Sequence, residues 1–260
     1  MATRQGLDAS IVTRLGADEQ AIFFAVKAEF DTDDIRVWSG TDDLTVNSET
    51  YTGAGALLTI SNIEENLEKL SGHYNGLCVI KSTVEPGVTE LLSEKYNLNI
   101  AHNPEFLTER TSFEDFHNQK HIVIGTNEDA KRDEDVIILY KELYPDAKIS
   151  ICKSEESEAM KLFCNNFYAM KVQIFNEFYF ICQKIGADFH EIKDLMLKNN
   201  WINSEHTQVP GRDGKISYGG HCFPKDTKAL CHFMKTSGSP YGVLEACIKE
   251  RDSMRDKKLE

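Results

Sequence analysis

The chain has 260 residues, 41% of them hydrophobic and 27% charged, which is the balance of a globular protein with room for one large or two modest domains. A formal net charge of −13 argues against nucleic acid or an anionic membrane as the main partner. Seven cysteines without a CxxC pair argue against a disulfide framework or a zinc ribbon, so the expectation is a reducing cytoplasm and no metal. The N-terminus has no basic-then-apolar leader pattern, and the early apolar run Ala21–Val26 is far too short to span a bilayer.

Residues 1 to about 18 carry no clear signal. From residue 20 the character is β. Ala21–Val26, Ile35–Trp38, Leu44–Val46, Thr50–Thr52 and Ala56–Ile60 read as short strands of an antiparallel meander. Gly53-Ala-Gly55-Ala-Leu-Leu58 has the outline of a dinucleotide-binding glycine loop, but Leu58 stands where the third glycine belongs and the preceding segment is a poor strand, so it reads as a turn.

From Glu64 helices and strands alternate. Glu64–Gly72, Pro86–Tyr96 and a segment from Asn127 to about Leu143 read as helices. Gly76–Ile80, Leu98–Ala101, His121–Gly125 and Lys148–Ile151 read as strands. That alternation predicts a parallel α/β sheet with ligand loops at the carboxyl ends of its strands. Ser154 opens the longest helix, to about Lys184, with Gly186 just past its end. Its broad apolar surface suits either a core or a dimer seam. Asp188–Lys198 and Tyr241 to about Lys257 are further helices.

Tyr218-Gly-Gly-His-Cys222-Phe-Pro-Lys-Asp226 is the stretch richest in chemistry. Two glycines allow a tight turn and close ligand approach. Asp226 is placed to cap a helix running to Met234. Cys222 would then lie just ahead of a helix N-terminus and beside Lys225, and both features favour thiolate over thiol. The competing reading is a small buried apolar cysteine. Lys161 and Asn165, four residues apart, share a helix face and read equally as ordinary surface.

Four pieces in this order resemble the UDP-glucose/GDP-mannose dehydrogenase family: Lys81-Ser-Thr-Val-Glu-Pro-Gly87; Asn103-Pro-Glu-Phe-Leu-Thr-Glu109; Glu158-Ala-Met-Lys-Leu-Phe-Cys-Asn165 with Asn176-Glu177; and Gly219-Gly-His-Cys-Phe-Pro-Lys-Asp226. The resemblance covers roughly residues 65 to 250. It implies oxidation of a nucleotide-sugar C6 alcohol to a carboxylate, with NAD as cofactor and a sugar such as UDP-glucose as substrate. Cys222 would be the nucleophile, forming a thiohemiacetal and then a thioester. Lys161 and Asn165 would stabilise the oxyanion, Asp226 would position water, and Thr83 and Glu105 would complete the water and base network. Glu109, Phe106, Leu107, Tyr218, Gly219 and Gly220 would meet the substrate, and Thr83 and Lys225 the cofactor.

Family members open with a glycine-loop half that binds the NAD pyrophosphate and close with a nucleotide-sugar domain. This sequence shows neither pattern, so the cofactor-binding half is expected to be absent. The compact loop Val209–Lys215 is similar to short, phage- and environmental-type members. Phe30–Gly40, Tyr51–Leu58 and Ile60–Glu65 are similar to a segment of phage tail-associated proteins.

The expected architecture is therefore α/β, in three parts. Residues 1–65 would be a β-rich segment, 66–153 an incomplete Rossmann-like sheet, and 154–260 a helical catalytic domain that dimerises through its long helix. The alternative function is a non-catalytic phage structural or nucleotide-sugar-binding protein.

Overall fold

The computed structural model describes residues 9–15, 20–26, 60–72, 74, 76–106, 112–127, 133–220 and 222–255, which fall into two compact units divided in the sequence between Lys161 and Leu162. In the first unit, β1 (Ala9–Leu15) and β2 (Gln20–Val26) form an antiparallel hairpin, followed by α1 (Ser61–Leu70) and β3 (Leu77–Ile80). Then come α2 (Val88–Tyr96), β4 (Asn99–His102), α3 (Ser112–His117), β5 (His121–Thr126), α4 (Asp133–Leu143) and β6 (Lys148–Lys153). The strand order is β2-β1-β3-β4-β5-β6. β1, β3 and β4 run parallel, as do β5 and β6, while β4 meets β5 antiparallel at His102 opposite Gly125.

β3 is apolar at every position because it is covered on both faces. Leu77 and Val79 enter a cluster with Ala101, Ile122, Ile124, Val136 and Tyr140, while Cys78 and Ile80 enter another with Leu67, Leu92 and Ile100. Successive side chains of a strand point to opposite faces, so a doubly covered strand has no polar position.

The start of α2 has no capping side chain of its own, and Gly87 precedes it in the left-handed region at φ 92. Its cap comes from a distant residue. The Glu158 carboxylate accepts from the Gly87 amide at 2.7 Å, the Thr89 amide at 2.8 Å and the Thr89 hydroxyl at 2.5 Å. A carboxylate on these orphan donors also complements the helix dipole. Burial nevertheless raises the Glu158 pKa, and the hydrogen bonds from Thr89 and Gly87 oppose that rise.

The second unit is helical. α5 (Ser154–Ile185) begins in the first unit and continues in the second, where α6 (Phe189–Leu197), α7 (Cys222–Thr236) and α8 (Gly242–Met254) follow. Phe175, Cys182, Phe189, Val209, Ile216 and Met254 form one core, and Leu230, Cys231 and Leu244 another. Asp188 caps α6 by accepting from the His190 amide at 2.7 Å and the Glu191 amide at 3.3 Å.

The α/β class, the partial Rossmann-like sheet and the long helix agree with expectation. Four details differ. The sheet is mixed where a parallel one was expected, because β1–β2 is a hairpin and β4 meets β5 antiparallel. β1 lies in a stretch that gave no signal, because Ser10, Thr13 and Arg14 break its apolar pattern. α3 is too short to show a helical period. α7 begins at Cys222, four residues before the expected start, because Pro224 falls in the first turn, where its missing N–H costs nothing. The expected strands at 35–38, 44–46, 50–52 and 56–59 lie outside the described residues. Among the described residues no helix is long and apolar enough to cross a membrane.

Candidate active site

In the first unit the candidate residues sit on loops at the carboxyl ends of β3 and β4, which pair in parallel with Ile80 beside His102. Thr83 and Glu105 are half-buried on these loops and Phe106 is exposed. Lys161, the last residue of this unit, donates its ammonium to the Glu105 carbonyl and lies 4.6 Å from the centre of the Phe106 ring. Glu105, Phe106 and Lys161 are thereby gathered. Leu107 and Glu109 lie outside the described residues.

Three residues that sequence reasoning passed over hold these loops. Lys81 is 1% exposed and donates to Asn103 Oδ1 at 2.6 Å, to the Asn103 carbonyl at 3.2 Å and to the Tyr140 hydroxyl at 3.4 Å. Asn103 in turn donates to the Val123 carbonyl at 2.6 Å and accepts from the Tyr140 hydroxyl at 2.5 Å. Burial pulls the Lys81 pKa down to about 8; the Glu105 carboxylate opposes this and the Lys161 charge reinforces it. His102 lies within hydrogen-bond distance of the Ser157 hydroxyl through Nδ1, at 2.8 Å, and of the Ser82 carbonyl through Nε2, at 3.2 Å. A carbonyl can only accept, so Nε2 carries the proton. Burial pushes His102 down to about 4, opposed by the Ser82 carbonyl and helped by the charges of Lys81 and Lys161. The ring is therefore neutral at physiological pH and ties the residue beside Thr83 to α5. A lysine directly after an apolar strand, and a histidine closing one, were the available signals.

In the second unit Cys222 is exposed and is the first residue of α7, not the residue ahead of it. That position puts the thiol at the positive end of the α7 dipole, which favours thiolate. His221 lies outside the described residues. Asp226, one turn further along, is fully buried and does not cap α7. Its carboxylate accepts from Asn165 Nδ2 at 2.6 Å and from Lys225 Nζ at 2.5 Å. Asn166 donates to the Asp226 carbonyl at 3.1 Å and to the Leu162 carbonyl at 2.8 Å. Asn165, Lys225 and Asp226 thus form one cluster.

Of the residues before the nucleophile, Tyr218 is buried, and burial raises its phenol pKa well above the usual range. Gly219 faces Arg255, and Gly220 turns the chain at φ 72. Dinucleotide pyrophosphates bind at free helix N-terminal amides. At the start of α2 the Gly87 and Thr89 amides are taken by Glu158, so that terminus is not open to a pyrophosphate, while Thr83 sits at a strand end, where an NAD fold places its ligand loops.

The described residues give a Rossmann-like α/β sheet and a helical unit in which Cys222 opens α7, the two parts of an α/β protein of Rossmann-like class. The NAD binding domain of the UDP-glucose/GDP-mannose dehydrogenase family matches residues 49–144, and the central domain of the same family matches residues 155–251. The chain belongs to this family.

It is 36% identical over 213 residues to a UDP-glucose 6-dehydrogenase of Rickettsia bellii, covering 77% of this chain and 47% of that protein. It is 28% identical over 208 residues to one of Bacillus subtilis, covering 75% of this chain and 43% of that protein. The structure of a UDP-glucose dehydrogenase from Pyrobaculum islandicum superposes with a TM-score of 0.68 at 25% identity, covering 77% of this chain and 48% of that one. The chain therefore spans about half the length of these relatives.

One expectation is corrected. The NAD-binding match starts at residue 49, so residues 49–65 belong with the dehydrogenase family, and the likeness to a phage tail segment finds no support. The match to the NAD binding domain agrees with the incomplete Rossmann-like part expected from residue 66.

Proposed function

We propose that the chain acts in the NAD-dependent oxidation of a nucleotide sugar, of the UDP-glucose type, from the C6 alcohol to the carboxylate. The observation that carries this reading is Cys222 at the first position of α7, one turn from a carboxylate locked by Asn165 and Lys225. NAD, when bound, supplies the hydride acceptor. Cys222 adds through sulfur to the intermediate aldehyde, giving a thiohemiacetal; the family resemblance gives Lys161 the role of stabilising its alkoxide. Oxidation of that adduct leaves a thioester, which water cleaves to the carboxylate and the free thiol. Glu105 and Thr83 order the water and accept its proton, while Asp226 and Asn165 keep the site in register. Tyr218, Gly219 and Gly220 contribute backbone to the substrate side. Lys225 acts through Asp226, to which it is already bonded, in place of a direct cofactor contact.

Among the described residues no disulfide joins any of the seven cysteines, which suits a reducing cytoplasm. Phe163, Phe167, Ile174, Ile181 and Ile185 are exposed along α5 at spacings of four and seven residues. That seam supports a homodimer. A second reading, nucleotide-sugar binding without turnover, is favoured by the filled N-terminus of α2.

The test is NADH absorbance with UDP-glucose, GDP-mannose and related sugars, with Cys222→Ser as control. NADH that depends on one sugar and is lost in the variant is expected. Sugar binding by calorimetry without any NADH would replace the dehydrogenase reading with the second one.

A further inference from the structure

The turn ahead of Cys222 is held in an unfavourable conformation. Ser217 is in the left-handed region at φ 61, where a residue with a Cβ is strained, and Gly220 follows at φ 72. From one side α5 pins Ser217. The Asn176 side chain accepts from its amide at 2.9 Å, and its hydroxyl donates to Gln173 at 2.5 Å.

From the other side two arginines reach over, Arg251 in the last turn of α8 and Arg255 at its C-cap. Arg255 Nη1 donates to the carbonyls of Ile216 at 3.1 Å and Ser217 at 2.9 Å, and its Nη2 bonds Asp213. Arg251 Nε donates to the Tyr218 carbonyl at 3.1 Å, with its guanidinium 5.6 Å from the centre of the Tyr218 ring and Asp252 at 2.7 Å. Three consecutive carbonyls are therefore gripped from the end of α8 and its C-cap. A side chain at Gly219 would put its Cβ 2.1 Å from Arg255 Nη2 and 2.6 Å from Cζ, so the guanidinium lies directly over the first glycine of the diglycine.

We propose that Arg251 and Arg255 are positioning residues that clamp the 216–220 turn and so fix Cys222 at the first position of α7. A planar guanidinium can hold two neighbouring carbonyls at once, which an ammonium on a flexible stem does less well. With the clamp released, the strained turn relaxes and the first turn of α7 frays. The thiol then loses its place at the positive end of the helix dipole, which favours its thiolate. The proposal rests on Cys222 being the nucleophile, but its test needs neither sugar nor cofactor.

The experiment is alkylation by iodoacetamide at neutral pH in the full chain, read per cysteine by peptide mass spectrometry. Cys222 is already exposed, so loosening the turn cannot speed the reaction by uncovering it. Arg255→Met is expected to slow Cys222 by about three- to tenfold, the range open to a thiol leaving a helix N-terminus, while Cys231 stays protected. Arg255→Lys should recover part of the rate. Gly219→Ala should displace the guanidinium and slow Cys222 as Arg255→Met does, and the two changes together should be no worse than one.

A Cys222 rate that is unchanged or faster in Arg255→Met overturns the clamp. If Arg255→Met exposes Cys231 and so unfolds, Gly219→Ala decides on the same criterion. Loss of NADH formation in the wild-type chain alongside slowed labelling in the variants would remove the dehydrogenase reading and keep the clamp.

Discussion

Replacing Lys81 with methionine should stabilise the first unit and remove a rise in stability with pH. Burial lowers the Lys81 pKa from 10.5 to about 8. At neutral pH that difference means the buried ammonium costs roughly 3 kcal/mol relative to the unfolded chain. Methionine keeps the apolar stem and removes this cost. It leaves the Asn103 carbonyl without its Lys81 donor, a loss of about 1–2 kcal/mol, while Asn103 Oδ1 keeps the Tyr140 hydroxyl at 2.5 Å. The net gain at pH 7 is about 1–2 kcal/mol.

Below about 8 both folded and unfolded states hold the proton and the full cost applies. Above it the folded state releases the proton first, so wild-type stability rises toward 10.5. Between pH 7 and 9.5 the rise is about 2 kcal/mol. Tyr140, whose pKa is raised by burial, opposes this only above about 10, where unfolded tyrosine ionises. Cys78 lies in β3 and is fully buried, so its labelling rate, corrected for thiolate fraction, reads the opening free energy of this unit. Groups common to both proteins cancel in the comparison. An identical pH dependence in wild type and Lys81→Met would refute the reasoning.

Gly125→Ala would bring its Cβ within 2.6 Å of Ser157 Cβ and 2.9 Å of Ser154 Cα. Because backbone must move, a loss of about 1–3 kcal/mol is expected, and an unshifted Cys78 opening rate would contradict it. Asn165→Ala leaves one oxygen of the buried Asp226 carboxylate without its partner and should cost about 1–3 kcal/mol, measured by thermal unfolding. Unchanged melting would mean that Lys225 alone satisfies the carboxylate. Phe167→Glu places a charge in the exposed apolar seam of α5. Sedimentation should show wild-type dimers and variant monomers, and a monomeric wild type would count against the seam as an interface.

Composition alone determined much of the scaffold. Leu77–Ile80 and Ile122–Ile124 are runs of apolar residues that only a doubly covered strand explains, and Gly186, at φ 69, ends the long helix as its lack of a Cβ allows. Four short motifs carried the family and the candidate residues. Packing decided the rest, because the deciding partners are far apart in sequence. Asp226 suits a helix cap by type, yet it is a buried carboxylate held by Asn165, 61 residues earlier. Glu158 reads as helix surface, yet it caps α2 across 71 residues. Lys81 could pass for a solvated charge, and Arg255 for part of a charged tail. Tertiary structure made one a buried anchor of the β4 loop and laid the other over Gly219. Local propensity sees only neighbours along the chain, whereas a buried polar group must find its hydrogen-bond partner wherever the fold brings one.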